Sequence, residues 1–106
     1  MVARYFRSVV EYRWDPDKND ANLRTRGIDF DEARSVHFDD WRIEIPDDLH
    51  SEDEPRTLTI GLSWRHRCLV VVTSYRDTES PRIISARRAT KRERNAYESQ
   101  RPLGPG

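Results

Sequence analysis

Residues 82–98 read R-I-I-S-A-R-R-A-T-K-R-E-R-N-A-Y-E, and the fold follows from how this stretch is divided. Ile83 and Ile84 are β-branched and lie in a run with strand character. Thr90 and Glu93 have the spacing of a capping box, in which the hydroxyl accepts from one orphan N–H and the carboxylate from another. A strand over 82–88 therefore feeds a helix over 90–99. Arg87 and Arg88 stand at the strand end. Their guanidinium groups stay charged at any ordinary pH and present a planar fork that fits phosphate. The plain alternative is a solvated run of charges.

Working outward, Cys68–Tyr75 is apolar on both faces over its first half, as expected of a central strand. Leu58, Ile60 and Leu62 alternate with Thr57, Thr59 and Gly61, and Trp41, Ile43 and Ile45 alternate with Arg42 and Glu44. Both patterns have the period of a half-buried strand, and Pro46 closes the second. Residues 63–67 are expected to form a hairpin turn. Asp15-Pro16 is a helix start and Gly27 a helix stop, with Ala21 and Leu23 as its narrow packed stripe. Asp29 with Glu32 forms a second capping pair, with Ile28 and Ala33 at staple positions, opening a helix to near Phe38. Residues 4–14 have the composition of a first strand, residues 47–55 form an acidic loop, and residues 101–106 form a flexible tail. The expected class is α+β: a mainly antiparallel sheet with two N-terminal helices and one C-terminal helix packed on it.

At 106 residues the chain is one domain, expected over 1–100. Charged residues make up 36% and mean hydropathy is −0.96, so the surface is heavily ionised. No apolar run approaches the roughly 20 residues of a membrane helix, and no signal peptide is visible. The expected location is the cytoplasm. A single cysteine, Cys68, excludes an internal disulfide. The net charge of zero hides a partition. Residues 15–54 carry fourteen acidic and five basic side chains, whereas residues 55–106 carry four acidic and eleven basic. Such asymmetry suits one face for an anionic partner and another for a basic one.

Four motifs together are familiar: Y-R-W-D-P-D-K-N-D-A-N-L at 12–23, G-I-D-F-D-E-A at 27–33, D-x-x-H-S-x-x-E-x-R around His50 and Arg56, and the 82–97 motif. The chain resembles the BrnT-type toxins over about residues 10–98. The resemblance implies a RelE-like ribonuclease toxin of a bacterial type II toxin–antitoxin module that inhibits translation and arrests growth. It also implies a BrnA-type antitoxin that neutralises the toxin and makes the contact with operator DNA, a homodimer within that complex, and no membrane partner. One departure stands out. Thr25-Arg26-Gly27 occupies the place where the family often has Lys-His-Gly. If that histidine moves a proton, this chain lacks it and reads as an antitoxin-binding co-repressor; if it binds the RNA backbone, Arg26 replaces it.

RNA carries its own nucleophile, the 2′-hydroxyl, so cleavage needs no metal or cofactor. The protein must hold in-line geometry, neutralise the phosphoryl oxygens and ease two proton transfers. Arg56, Arg87 and Arg88 suit neutralisation, while His50, Glu93 and Tyr97 are the candidate proton carriers. Lys18, Arg26, Lys91 and Arg92 are candidate RNA-backbone contacts, and Trp64 beside Arg65 and Arg67 is a candidate base-stacking residue. Each has a structural alternative: Glu93 as a plain cap, Tyr97 as a packed ring, His50 as a solvated loop residue. A metal at His50 with Asp47, Asp48 and Glu52 is disfavoured, because that loop lacks ligand spacing.

Overall fold

The computed structural model describes residues 10–47, 54–77 and 79–102. Its elements run α1 (Pro16–Arg26), α2 (Phe30–Ser35) continued by a 3-10 turn (Val36–Phe38), β1 (Ile43–Pro46), β2 (Arg56–Leu62), β3 (Cys68–Ser74), β4 (Arg82–Arg88) and α3 (Lys91–Gln100). The strands form one antiparallel sheet in the order β1-β2-β3-β4. This is the α+β class expected, with four strands and three helices.

Local chemistry sets the helix ends. Asp15 caps α1 by accepting from the Asp17 N–H at 2.9 Å. Gly27 ends it in the left-handed region at φ 71°, where a side chain would be strained. At Thr90 both halves of the capping box form. At Asp29 only one half forms: the Asp29 carboxylate accepts from the Glu32 N–H at 2.7 Å, but the Glu32 carboxylate goes elsewhere.

Alternation along β3 divides the core in two. Leu69 and Val71 face α2 and pack with Ile28, Phe30, Ala33, Val36, Ile83 and Ala86. Val70 faces the other way and packs with Ile60 and with Tyr97 of α3. The helices therefore lie on opposite faces of the sheet. A bulge in β4, opposite Val72 and Thr73, lets Ile83 and Ala86, three residues apart, enter the same core.

Three expectations change. The first strand falls largely outside the described residues, and within 10–14 there is a single parallel bridge, Arg13 to Arg82, rather than a ladder. Pro46 is the last paired residue of β1 instead of lying beyond it; β1 is an edge strand, where a missing N–H is tolerated. Leu23 is 49% exposed, and the buried residue of α1 is Asn22. Residues 48–53 of the acidic loop, with His50, and residues 103–106 of the tail lie outside the described residues.

Candidate functional site

α1 is held to β4 by polar bonds rather than by an apolar stripe. The Asn22 amide donates to Ile28 O (2.8 Å) and Ala86 O (3.0 Å), while its oxygen accepts from the Ala86 N–H at 3.3 Å. Asn22→Ala would leave these buried backbone groups short of partners. We expect a loss of about 2 kcal/mol, read from the urea midpoint; an unchanged midpoint would show that water replaces the amide.

One helical turn on, Arg26 reaches Ala86 O at 3.4 Å. The 63–67 hairpin closes on the same corner. Arg67 donates to Gly27 O at 3.0 Å and, through Nε at 2.8 Å and a shorter Nη2 contact, to the Glu32 carboxylate. Ser63 Oγ donates to the same carboxylate at 2.7 Å, and Arg65 lies 3.9 Å from it. Burial alone would push the Glu32 carboxyl up. The Arg67 and Ser63 hydrogen bonds and the arginine charges outweigh that and hold it below the usual range. Arg67 is thus a structural arginine. Trp64 at the hairpin tip is 58% exposed, its backbone N–H fixed on Ser35 Oγ at 2.9 Å.

β4 ends at this corner. Arg88 pairs in register with Leu69 and Arg87 with Val70, so the two arginines leave the sheet on opposite faces. Arg88 is exposed on the α1/α2 face, two residues beyond Ala86, whose carbonyl Arg26 reaches. Arg87 lies on the α3 face in a two-pronged ion pair with Glu93, at 2.8 and 2.9 Å. Glu93 also accepts from the Thr90 N–H at 2.8 Å. The Arg87 guanidinium is the main reason its carboxyl is pulled down to about 2. Because that value lies below the unfolded one, the pair stabilises the fold above the ordinary carboxylate range and loses that effect as pH falls through about 2. Glu93 therefore carries no proton at neutral pH.

Tyr97 is 1% exposed, and its hydroxyl donates to Asp39 Oδ2. Burial first, and the Asp39 carboxylate second, raise its pKa. Asp39 also accepts from the Leu62 and Trp41 N–H groups, at 2.9 and 3.0 Å, so Tyr97 anchors α3 to the sheet. Arg56 pairs with Ser74 at the other end of the sheet. Along β3 that is about 17 Å from the Leu69–Arg88 pair at roughly 3.4 Å per residue. It stands 3.8 Å from Glu54.

Arg88 closes β4 three residues before Lys91 of α3, Arg26 reaches β4 at Ala86 O, and Trp64 and Arg65 stand on the hairpin whose Arg67 reaches Gly27 O. The structure places Arg56 at the far end and Lys18 two helical turns from Arg26. Among the described residues no group of three or more His, Cys, Asp or Glu is arranged to hold a metal ion. Among the described residues one histidine is buried: His37 stacks on Tyr12, with ring centroids 4.4 Å apart, and its Nε2 lies 3.2 Å from Thr73 Oγ1. Burial, helped by Arg42, lowers it to about 4, so it is neutral at pH 7.

Sequence reading missed Asn22, Glu32 with Arg67, and Asp39, all polar groups whose partners are remote in the chain. The split of Arg87 from Arg88 did have a signal, since adjacent residues of one strand point to opposite faces.

The fold defines a small α+β protein, one four-stranded antiparallel sheet with three helices. A crystal structure of the Brucella abortus ribonuclease toxin BrnT matches it with a TM-score of 0.60, covering 78% of this chain and all of that one at 20% identity. At that identity the likeness speaks for the fold alone. The profile of BrnT, the ribonuclease toxin of type II toxin–antitoxin systems, matches residues 14–93, and the chain belongs to that family. No match was found among curated protein sequences. Membership implies an antitoxin partner and an RNA substrate.

Proposed function

We propose that this protein is a metal-independent endoribonuclease of RelE-like type that cleaves RNA at the corner where β4 meets α3 and so inhibits translation. What supports this reading is the family match over residues 14–93 and an exposed Arg88 at the end of β4, three residues before the helix that carries Lys91 and Arg92. Arg88 and Arg26 take the scissile phosphate, Lys91 and Arg92 the neighbouring phosphates, and Trp64 stacks on a base. Glu93 orients Arg87, and Tyr97 positions the helix that carries Lys91 and Arg92. In the reaction the 2′-oxygen bonds to phosphorus and the 5′-oxygen leaves with a proton, giving a cyclic phosphate and a 5′-hydroxyl. His50 is the remaining candidate proton carrier, and Arg56 an outlying RNA contact. A BrnA-type antitoxin silences the toxin, links it to operator DNA and pairs two toxins in one complex.

A second reading has its own support. Glu93 and Tyr97 are both committed to structural bonds, and Arg26 stands in place of the family's histidine, as expected of a co-repressor with little activity. Labelled RNA incubated with the purified, antitoxin-free protein in excess EDTA separates the readings. Cleavage supports the metal-independent nuclease. Cleavage only after Mg²⁺ is added removes metal independence, and none in either condition favours the co-repressor.

A further inference from the structure

We propose that the groove between residues 12–15 and the start of β4 is a second RNA subsite holding one nucleotide unit, its phosphate on Arg13 and Arg82 and its base against Trp14. The inference rests on the ribonuclease reading above and extends it to a part of the substrate distant from the cut. The groove has a volume of about 450 Å³ and is lined by Tyr12, Arg13, Trp14, Asp15 and Arg82. That is within the usual range for small-molecule sites of roughly 300–1,000 Å³.

Backbone pairing sets the two arginine residues next to each other at the groove. Arg13 and Arg82 are partners in a parallel bridge, fixed by the Arg13 N–H on Pro81 O (2.9 Å) and the Ile83 N–H on Arg13 O (2.8 Å). Like charges on paired residues repel. Both side chains are exposed, and neither forms an ion pair or side-chain hydrogen bond with any described residue. Every other arginine of the sheet's strands, Arg88 excepted, has an acidic partner: Arg56 has Glu54 and Arg87 has Glu93. An anion shared between Arg13 and Arg82 would relieve the repulsion, and phosphate fits the paired forks.

The walls select a nucleotide over a bare anion. Trp14 is held edge-on against Phe30, with centroids 6.2 Å apart at 82°, and Tyr12 is held by its stack on His37. Both residues are half-buried and line the groove. Asp15 accepts from the Asp17 N–H through one oxygen, and its other oxygen has no partner among the described residues. A free carboxylate oxygen repels inorganic phosphate, but it suits a ribose hydroxyl or a base amino group. The groove lies at the opposite end of β4 from Arg88, about 20 Å away at roughly 3.3 Å per residue. It therefore grips a nucleotide several positions from the scissile one.

The test follows the three tryptophan indole N–H signals of ¹⁵N-labelled protein during titration with a single-stranded, fully 2′-O-methylated RNA, which cannot be cut. The Trp14 signal should shift on binding. In Arg13→Gln/Arg82→Gln that shift should vanish, with affinity about tenfold weaker and the log–log salt slope reduced by about 0.7, the share of one phosphate. Arg13→Lys/Arg82→Lys, which keeps the charge, should recover the slope and guards against misfolding of the first variant. An unmoved Trp14 signal, or a Gln variant that binds as wild type does, overturns the subsite. Unmodified RNA assayed in parallel keeps the two readings apart: cut RNA with a silent Trp14 defeats only the subsite, and uncut RNA with a shifting Trp14 defeats only the nuclease.

Discussion

Glu32→Ala should destabilise the folded protein by about 3–5 kcal/mol, the cost of breaking a buried pair from one side. The Glu32 side chain is 2% exposed, and the Arg67 side chain facing it only 16%. Its carboxylate collects hydrogen bonds from Ser63 and from two nitrogens of Arg67. Removing it strands a guanidinium between α2 and the hairpin and frees the 63–67 turn that carries Trp64. For a domain of this size the loss corresponds to a fall in Tm of roughly 15 °C or more. The double variant Glu32→Leu/Arg67→Met should be milder, because it leaves no buried charge unpaired, although Ser63 Oγ and Gly27 O each lose a partner. Thermal and urea unfolding of both variants decide the matter. A single-variant loss below about 1 kcal/mol would mean that the pair behaves as a solvated one.

Arg88→Ala and Arg87→Ala should separate, although the residues are neighbours. Arg88 is exposed without an acidic partner among the described residues, so its removal should lower RNA cleavage about 100-fold, as for loss of one transition-state donor, and leave stability nearly unchanged. Arg87 is bound to Glu93 in a pair that is more than a third exposed on the arginine side. Solvent screening limits that pair to about 1 kcal/mol. Arg87→Ala should therefore loosen the start of α3 and cost stability, with a smaller effect on cleavage. The kinetics and unfolding of the two variants are read together; equal losses of cleavage would place both arginines on the phosphate and refute the division by face.

Much of this architecture was legible before any coordinates. Asp15 with Pro16, Gly27, Asp29, and Thr90 with Glu93 mark helix ends through bonds that close within about four residues. Alternation in 57–62 and the apolar run from Cys68 mark strands through a period of two. The run of basic residues at the strand–helix junction was also legible, because Arg87, Arg88, Lys91 and Arg92 are close in the chain. The roles of individual site residues were less so. Glu32 has the spacing of a capping residue, yet its carboxylate finds Arg67, 35 residues away, more rewarding than the N–H of Asp29. Tyr97 has the look of a helix-face hydroxyl but is taken up by Asp39, 58 residues away.

The sequence by itself determined the elements, the α+β class and the family, since each depends on short-range spacing or on motifs read in order. Only the tertiary structure decided that the helices lie on opposite faces of the sheet, that Arg56 stands far from Arg88, and that Arg13 and Arg82 share a groove. The physical reason is common to all three. Each depends on which segments, remote in sequence, the packed chain lays side by side.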